Sequence, residues 1–118
     1  MIKGIGIDLV DLKRLEKKAD DRLIERILNS QEKALFDNIT DKTAKLAFLG
    51  GRFAAKEAIF KAIGSGKGDT YYRDFAILKN DNGSPYVESE RISADEVFHI
   101  SITHTDDHAI AYVIIEVP

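Results

Sequence analysis

The 118-residue sequence contains no cysteine, which excludes disulfides, a thiolate nucleophile and a cysteine-based zinc site. No apolar run approaches the roughly 20 residues that a membrane span requires. A signal-peptide pattern is missing as well. In "MIKGIGIDLVD" an acid interrupts the apolar run at once, and no small-residue cleavage site follows. Cytoplasm is the default reading, with no membrane partner. Positive charge is not in excess: the formal net charge is −3, which argues against a dedicated nucleic-acid binder. The chain has no internal repeat, low-complexity segment or interdomain linker, and its length fits a single domain, residues 1–118.

The charge that is present is unevenly spread. "LKRLEKK" concentrates Lys13, Arg14, Lys17 and Lys18 near the start, whereas no Lys or Arg occurs from Asp95 onward. A one-sided basic face in a net acidic protein points to an acidic partner protein. Residues 2–10 read as a strand, with Ile5, Ile7 and Leu9 on one face and Gly4, Gly6 and Asp8 on the other. Two missing side chains beside an acid imply that something packs close there. Asp11 caps a short helix to about Lys18, "DRLIERIL" forms a second, and Ser30 starts a third with a capping hydroxyl. A long helix runs from Thr40 or Asp41 to Ile63, and Gly64 stops it. The period then changes. "FAILK" and "PYVES" flank the hairpin signal "NDNG", and "VFHISIT" and "AIAYVIIEV" surround "HTDDH". The expected fold is α+β, a long buried helix packed on a largely antiparallel sheet.

The long helix carries a puzzle. Leu46, Leu49, Phe53 and Phe60 share one face, Glu57 lies in the middle of it, and small and apolar residues cover most of the opposite side. An unpaired buried carboxylate costs several kcal/mol. One reading is an internal ion pair with Lys61, by the favourable Glu-to-Lys i,i+4 order. The other is a metal ligand or general base. A second acid on a buried strand favours metal, and Asp8 is such an acid; two carboxylates with open positions suit Mg²⁺. Other patterns carry less. "GIGIDL" fails the dinucleotide fingerprint because Leu9 stands at the third glycine. "GSGKGD" ends a helix instead of opening one, so it is no P-loop, although its backbone N–H groups could meet a phosphate. His99, His104 and His108 lack a metal-ligand spacing on a helix, and Ser101 lacks a nucleophile elbow.

Together "GIGIDLVD", "FLGGRFAAKEAIFKAIGSG", "NGSPY" and "SITHT" resemble the holo-acyl-carrier-protein synthases, small 4′-phosphopantetheinyl transferases, from Ile2 to about Glu116. Gly50, Ser65 and Ser84 depart from the usual "FLAGR", "GTG" and "NGKPY". The resemblance implies transfer of phosphopantetheine from coenzyme A to a serine of acyl carrier protein. It implies Mg²⁺ on Asp8 and Glu57, and Lys61 against the pyrophosphate. Arg52, Gly64, Ser65, Gly66, Ser84, Pro85, His104 and Thr105 would lie around the nucleotide. The proton acceptor would be Glu57 or a water on the metal, and Lys13, Arg14, Lys17 and Lys18 would dock the carrier. It further implies a homotrimer with each site at a subunit boundary, in keeping with apolar residues on both faces of "AIAYVIIEV". The alternatives are a coenzyme A or nucleotide binding module without turnover, and a metal-dependent phosphohydrolase.

Overall fold

Each helix begins where a side chain takes up N–H groups that the first turn leaves free. In the computed structural model, which describes residues 1–64 and 68–118, Asp11 caps α1 (Leu12–Lys18) by accepting from the Arg14 N–H at 3.1 Å. Asp20 caps α2 (Asp21–Ile27) through the Leu23 N–H, and Asp41 caps α4 (Lys42–Ile63) through the Ala44 N–H. The cap of α3 (Ser30–Asp37) is Asn29, not the expected Ser30. Asn29 accepts from the Glu32 N–H while the Glu32 carboxylate accepts from the Asn29 N–H, so the two form a reciprocal box. Ser30 is the first helical residue instead. Gly64 ends α4 as expected, at a φ of 87° that only glycine adopts without strain.

Strands β1 (Ile2–Asp11), β4 (Val97–His104) and β5 (His108–Glu116) form an antiparallel sheet in the order β1-β5-β4. Gly6 lies opposite Val113 and Asp8 opposite Ala111. A 3-10 turn (Tyr72–Asp74) leads into the hairpin of β2 (Ala76–Lys79) and β3 (Pro85–Glu88). Helix α4 lies across β1 and β5. Ala54, Ala55, Ala58 and Ile59 of the helix and Ala109, Ala111 and Val113 of β5 are all fully buried.

The expected close approach at Gly4 and Gly6 is α4 itself. A Cβ on Gly4 would stand 1.8 Å from the Ala62 carbonyl oxygen, and one on Gly6 1.9 Å from that of Ala58. Backbone therefore meets backbone, and the helix sits as low on the strand as the chain permits. The opposite face of β1 is turned outward: Ile5, Ile7 and Leu9 are 58%, 55% and 59% exposed. Leu12 and Leu15 point inward from α1, and its basic side chains point out.

Candidate active site

Asp8 follows Gly4 and Gly6 on the same face of β1, the face α4 covers. Its Oδ1 accepts from Lys61 Nζ at 3.2 Å, and Lys61 also donates to the Ile7 carbonyl at 2.9 Å. The i,i+4 ion pair between Glu57 and Lys61 is thus not formed; the lysine spans helix to strand instead. Half-buried Glu57 accepts from the Tyr72 phenol through Oε1 at 3.0 Å. Burial, and after it the bond to Glu57, pushes the Tyr72 phenol up to about 12, so it remains a donor at neutral pH. Among the described residues no third acid or histidine joins this pair as a ligand cluster. Two hard oxygen donors beside a lysine fit Mg²⁺, which retains waters and takes phosphate oxygens from a substrate. Such a site would not suit zinc, which prefers nitrogen and sulfur.

Arg52, Pro85 and His104 come together elsewhere, in a cleft of about 570 Å³ that Phe48, Gly51 and Lys79 also line. Arg52 is buried, with its guanidinium 3.8 Å from the Phe48 ring centre and its Nε donating to the Ile77 carbonyl at 3.3 Å. Burial lowers its pKa, against the pull of Glu32. Among the described residues its Nη2 has no hydrogen-bond partner. A buried orphan donor on a permanent cation suits an anionic oxygen. Ser84 stands beside this cleft but is engaged in the hairpin turn: its hydroxyl donates to Asn82 at 2.6 Å and accepts from Asn80 at 3.0 Å. Thr105 uses its hydroxyl to accept the Asp107 and His108 N–H groups. Gly64 is placed at the end of α4, whereas Ser65 and Gly66 lie outside the described residues.

Around α4, Asp8, Glu57 and Lys61 thus form one cluster and Arg52, Pro85 and His104 another. Arg52 and Glu57 are five residues apart, about 140° around the axis and about 7.5 Å along it. Two groups escaped the sequence reading. Tyr72, fifteen residues from its partner Glu57, had only its place in the unusual "GKGDTYYRDF" stretch as a signal. Lys56 is fully buried, donates to the Ile27 carbonyl at 2.6 Å and pairs with fully buried Glu32. Burial lowers the Lys56 pKa, against the pull of Glu32. Glu32 in turn accepts from the Ile77 N–H at 2.9 Å. This pair and Arg52 together hold both backbone groups of Ile77.

Residues 4–113 match the 4′-phosphopantetheinyl transferase superfamily. The holo-[acyl-carrier-protein] synthase of a Geobacillus species is 48% identical over 98% of each chain, and that of Acholeplasma laidlawii 44% over 98% of each. The holo-(acyl-carrier-protein) synthase of Bacillus anthracis, solved in complex with CoA (3′,5′-ADP), superposes with a TM-score of 0.90. It is 37% identical, with 100% of this chain and 99% of that one covered. The chain belongs to the 4′-phosphopantetheinyl transferase superfamily and, within it, to the holo-[acyl-carrier-protein] synthases, a family of enzymes. The α+β fold read from the sequence is the fold of that family.

Proposed function

We propose that the enzyme moves the 4′-phosphopantetheine group from coenzyme A to a serine hydroxyl of apo acyl carrier protein, with Mg²⁺ held by Asp8 and Glu57. The observation that carries this reading is the division of the site. One cluster offers two carboxylates and a lysine, and the other a buried arginine with an orphan N–H, within the fold of a relative solved with CoA (3′,5′-ADP). The serine oxygen forms a bond to the phosphorus that carries pantetheine. The bond from that phosphorus to the other diphosphate oxygen breaks, and adenosine 3′,5′-bisphosphate leaves. Such displacements depend on positioning and charge neutralisation more than on covalent help. When bound, Mg²⁺ supplies positive charge to the phosphate oxygens. Lys61 adds its ammonium at the same place, and Arg52, Pro85 and His104 hold the nucleotide end. Glu57 accepts the serine proton or orients the water that does. The exposed face of α1, with Lys13, Arg14, Lys17 and Lys18, receives the acidic carrier and speeds its encounter.

The test is to incubate the protein with apo acyl carrier protein, coenzyme A and Mg²⁺ and to weigh the carrier by mass spectrometry. A phosphopantetheine mass gain is expected. Nucleotide release without that gain would select the phosphohydrolase, and binding without either the inert module. Asp8→Asn and Glu57→Gln keep shape and remove charge, so each should lose most transfer. Because they serve one ion, the double variant should be little worse than either single.

A further inference from the structure

Glu57 has a competitor one helical turn away. Lys61 stands at i+4 in the favourable order for an ion pair, on a side chain that is 57% exposed although its ammonium donates to the Ile7 carbonyl and Asp8. An ammonium lying across both Glu57 oxygens would compete with a cation for them, whereas Asp8 meets Lys61 through Oδ1 alone. In the structure the pairing of Glu57 with Lys61 does not form: Lys61 donates to the Ile7 carbonyl and to Asp8, and the Tyr72 phenol donates to Glu57 Oε1 at 3.0 Å. Among the described residues no donor reaches Oε2.

The phenol is placed, not merely available. Phe53, Glu57 and Phe60 follow at i, i+4 and i+7 on α4, so the carboxylate emerges between two rings. The Tyr72 ring meets the Phe53 ring edge-on at 5.6 Å and 71°, and lies 5.2 Å from the Phe60 ring at 37°. The Arg26 guanidinium stands 6.0 Å over the Tyr72 ring. Phe60 is itself held edge-on by fully buried Phe75. The hydroxyl position therefore follows from apolar packing that is independent of Glu57.

We propose that Tyr72 is a positioning residue of the metal site, whose phenol holds Glu57 Oε1 so that the carboxylate keeps Oε2 for the cation and stays off Lys61. The proposal rests on the reading of Glu57 as a metal ligand. Groups that hydrogen-bond a metal-ligating side chain orient it, and their loss commonly weakens metal binding by about 10- to 100-fold.

Tyr72→Phe removes only the hydroxyl and keeps every ring contact, so the variant should fold. Mn²⁺ titration of the substrate-free protein, followed by the electron paramagnetic resonance signal of free Mn²⁺, reads binding without turnover. Tyr72→Phe should bind Mn²⁺ about tenfold more weakly than wild type. The Mg²⁺ concentration for half-maximal transfer should rise by a similar factor, with kcat at saturating Mg²⁺ changed less. In a Lys61→Met background the same substitution should cost much less, because the competing ammonium is gone. A purely structural Tyr72 would leave Mn²⁺ affinity within about twofold of wild type, and that result overturns the proposal. Glu57→Gln separates the two levels. If it loses Mn²⁺ binding while Tyr72→Phe keeps it, only the role of Tyr72 fails. If it binds as wild type does, Glu57 is no ligand and both readings fall.

Discussion

Lys56 and Glu57 are neighbours in sequence and opposites in use. Lys56 is fully buried and joins α2, α3 and α4 through the Ile27 carbonyl and Glu32. Glu57 is half-buried and is the carboxylate proposed to hold the metal. A buried pair adds little to stability against an apolar alternative, but removing one partner strands the other charge. Lys56→Met should therefore cost about 3–5 kcal/mol, because Glu32 would remain buried with only two backbone N–H donors. Urea unfolding measures this, and a loss below about 1 kcal/mol would mean that the pair relaxes into solvent when broken. The hub also holds Ile77, whose carbonyl receives Arg52, so a partly folded Lys56→Met protein should lose nucleotide affinity before metal affinity.

At the scale of elements, β1 and α4 meet without side chains between them, and this sets the position of Asp8 relative to Glu57. Gly6→Ala puts a methyl group where the Ala58 carbonyl stands, and backbone cannot step aside as a side chain can. A loss of at least about 2–3 kcal/mol is expected. A thermal midpoint unchanged in that variant would show that the helix can lift off the strand freely. At the other end of β1, the Arg14 N–H holds the Asp11 carboxyl below its ordinary value of 3.8. A depressed carboxylate stabilises above that ordinary value, and its contribution is lost as pH falls through the folded one. Helix α1 should thus loosen in acid below about pH 4. Asp11→Asn keeps the cap and cannot titrate, so its α1 amide exchange should be less acid-sensitive than wild type. Although the start of the long helix reads equally as Thr40 or Asp41, the cap Asp11, the stop at Gly64 and the hairpin were legible because each is a local signal within a few residues. The same holds for Gly4, Gly6 and Asp8 sharing a face. The Glu32–Lys56 pair spans 24 residues and has no period to betray it. One clue was available: Lys56 lies between Ala55 and Glu57 on a helix apolar nearly all round, where a charge on a covered face must find a partner. Asn29 was overlooked because "S-Q-E-K" offers a good capping hydroxyl one residue later.

For the whole molecule, the two proposed site clusters stand apart around α4, and we propose that a second copy brings them together. The outward Ile5, Ile7 and Leu9 supply an apolar face for one. A homotrimer in solution is the expected state, with the carboxylates of one subunit facing the Arg52 cleft of the next; light scattering that gives a monomer would refute it. Complementation tests the boundary directly. Asp8→Asn and Arg52→Met subunits, each inactive alone, should regain activity when mixed and reassembled. Three quarters of random trimers are mixed and each holds one intact site in three, so roughly a quarter of wild-type activity is expected. No recovery would place both clusters' work within one subunit. The order of the sheet also governs when a newly made chain acquires its site. Strand β1 is synthesised first, yet its ladder partner is β5, about 100 residues later. At usual rates of translation that interval is on the order of 5–20 s. Through it the four helices can form, but Asp8 has no fixed strand from which to meet Glu57. The ladder that holds Asp8 in place beside α4 is thus completed only when β5 has been made.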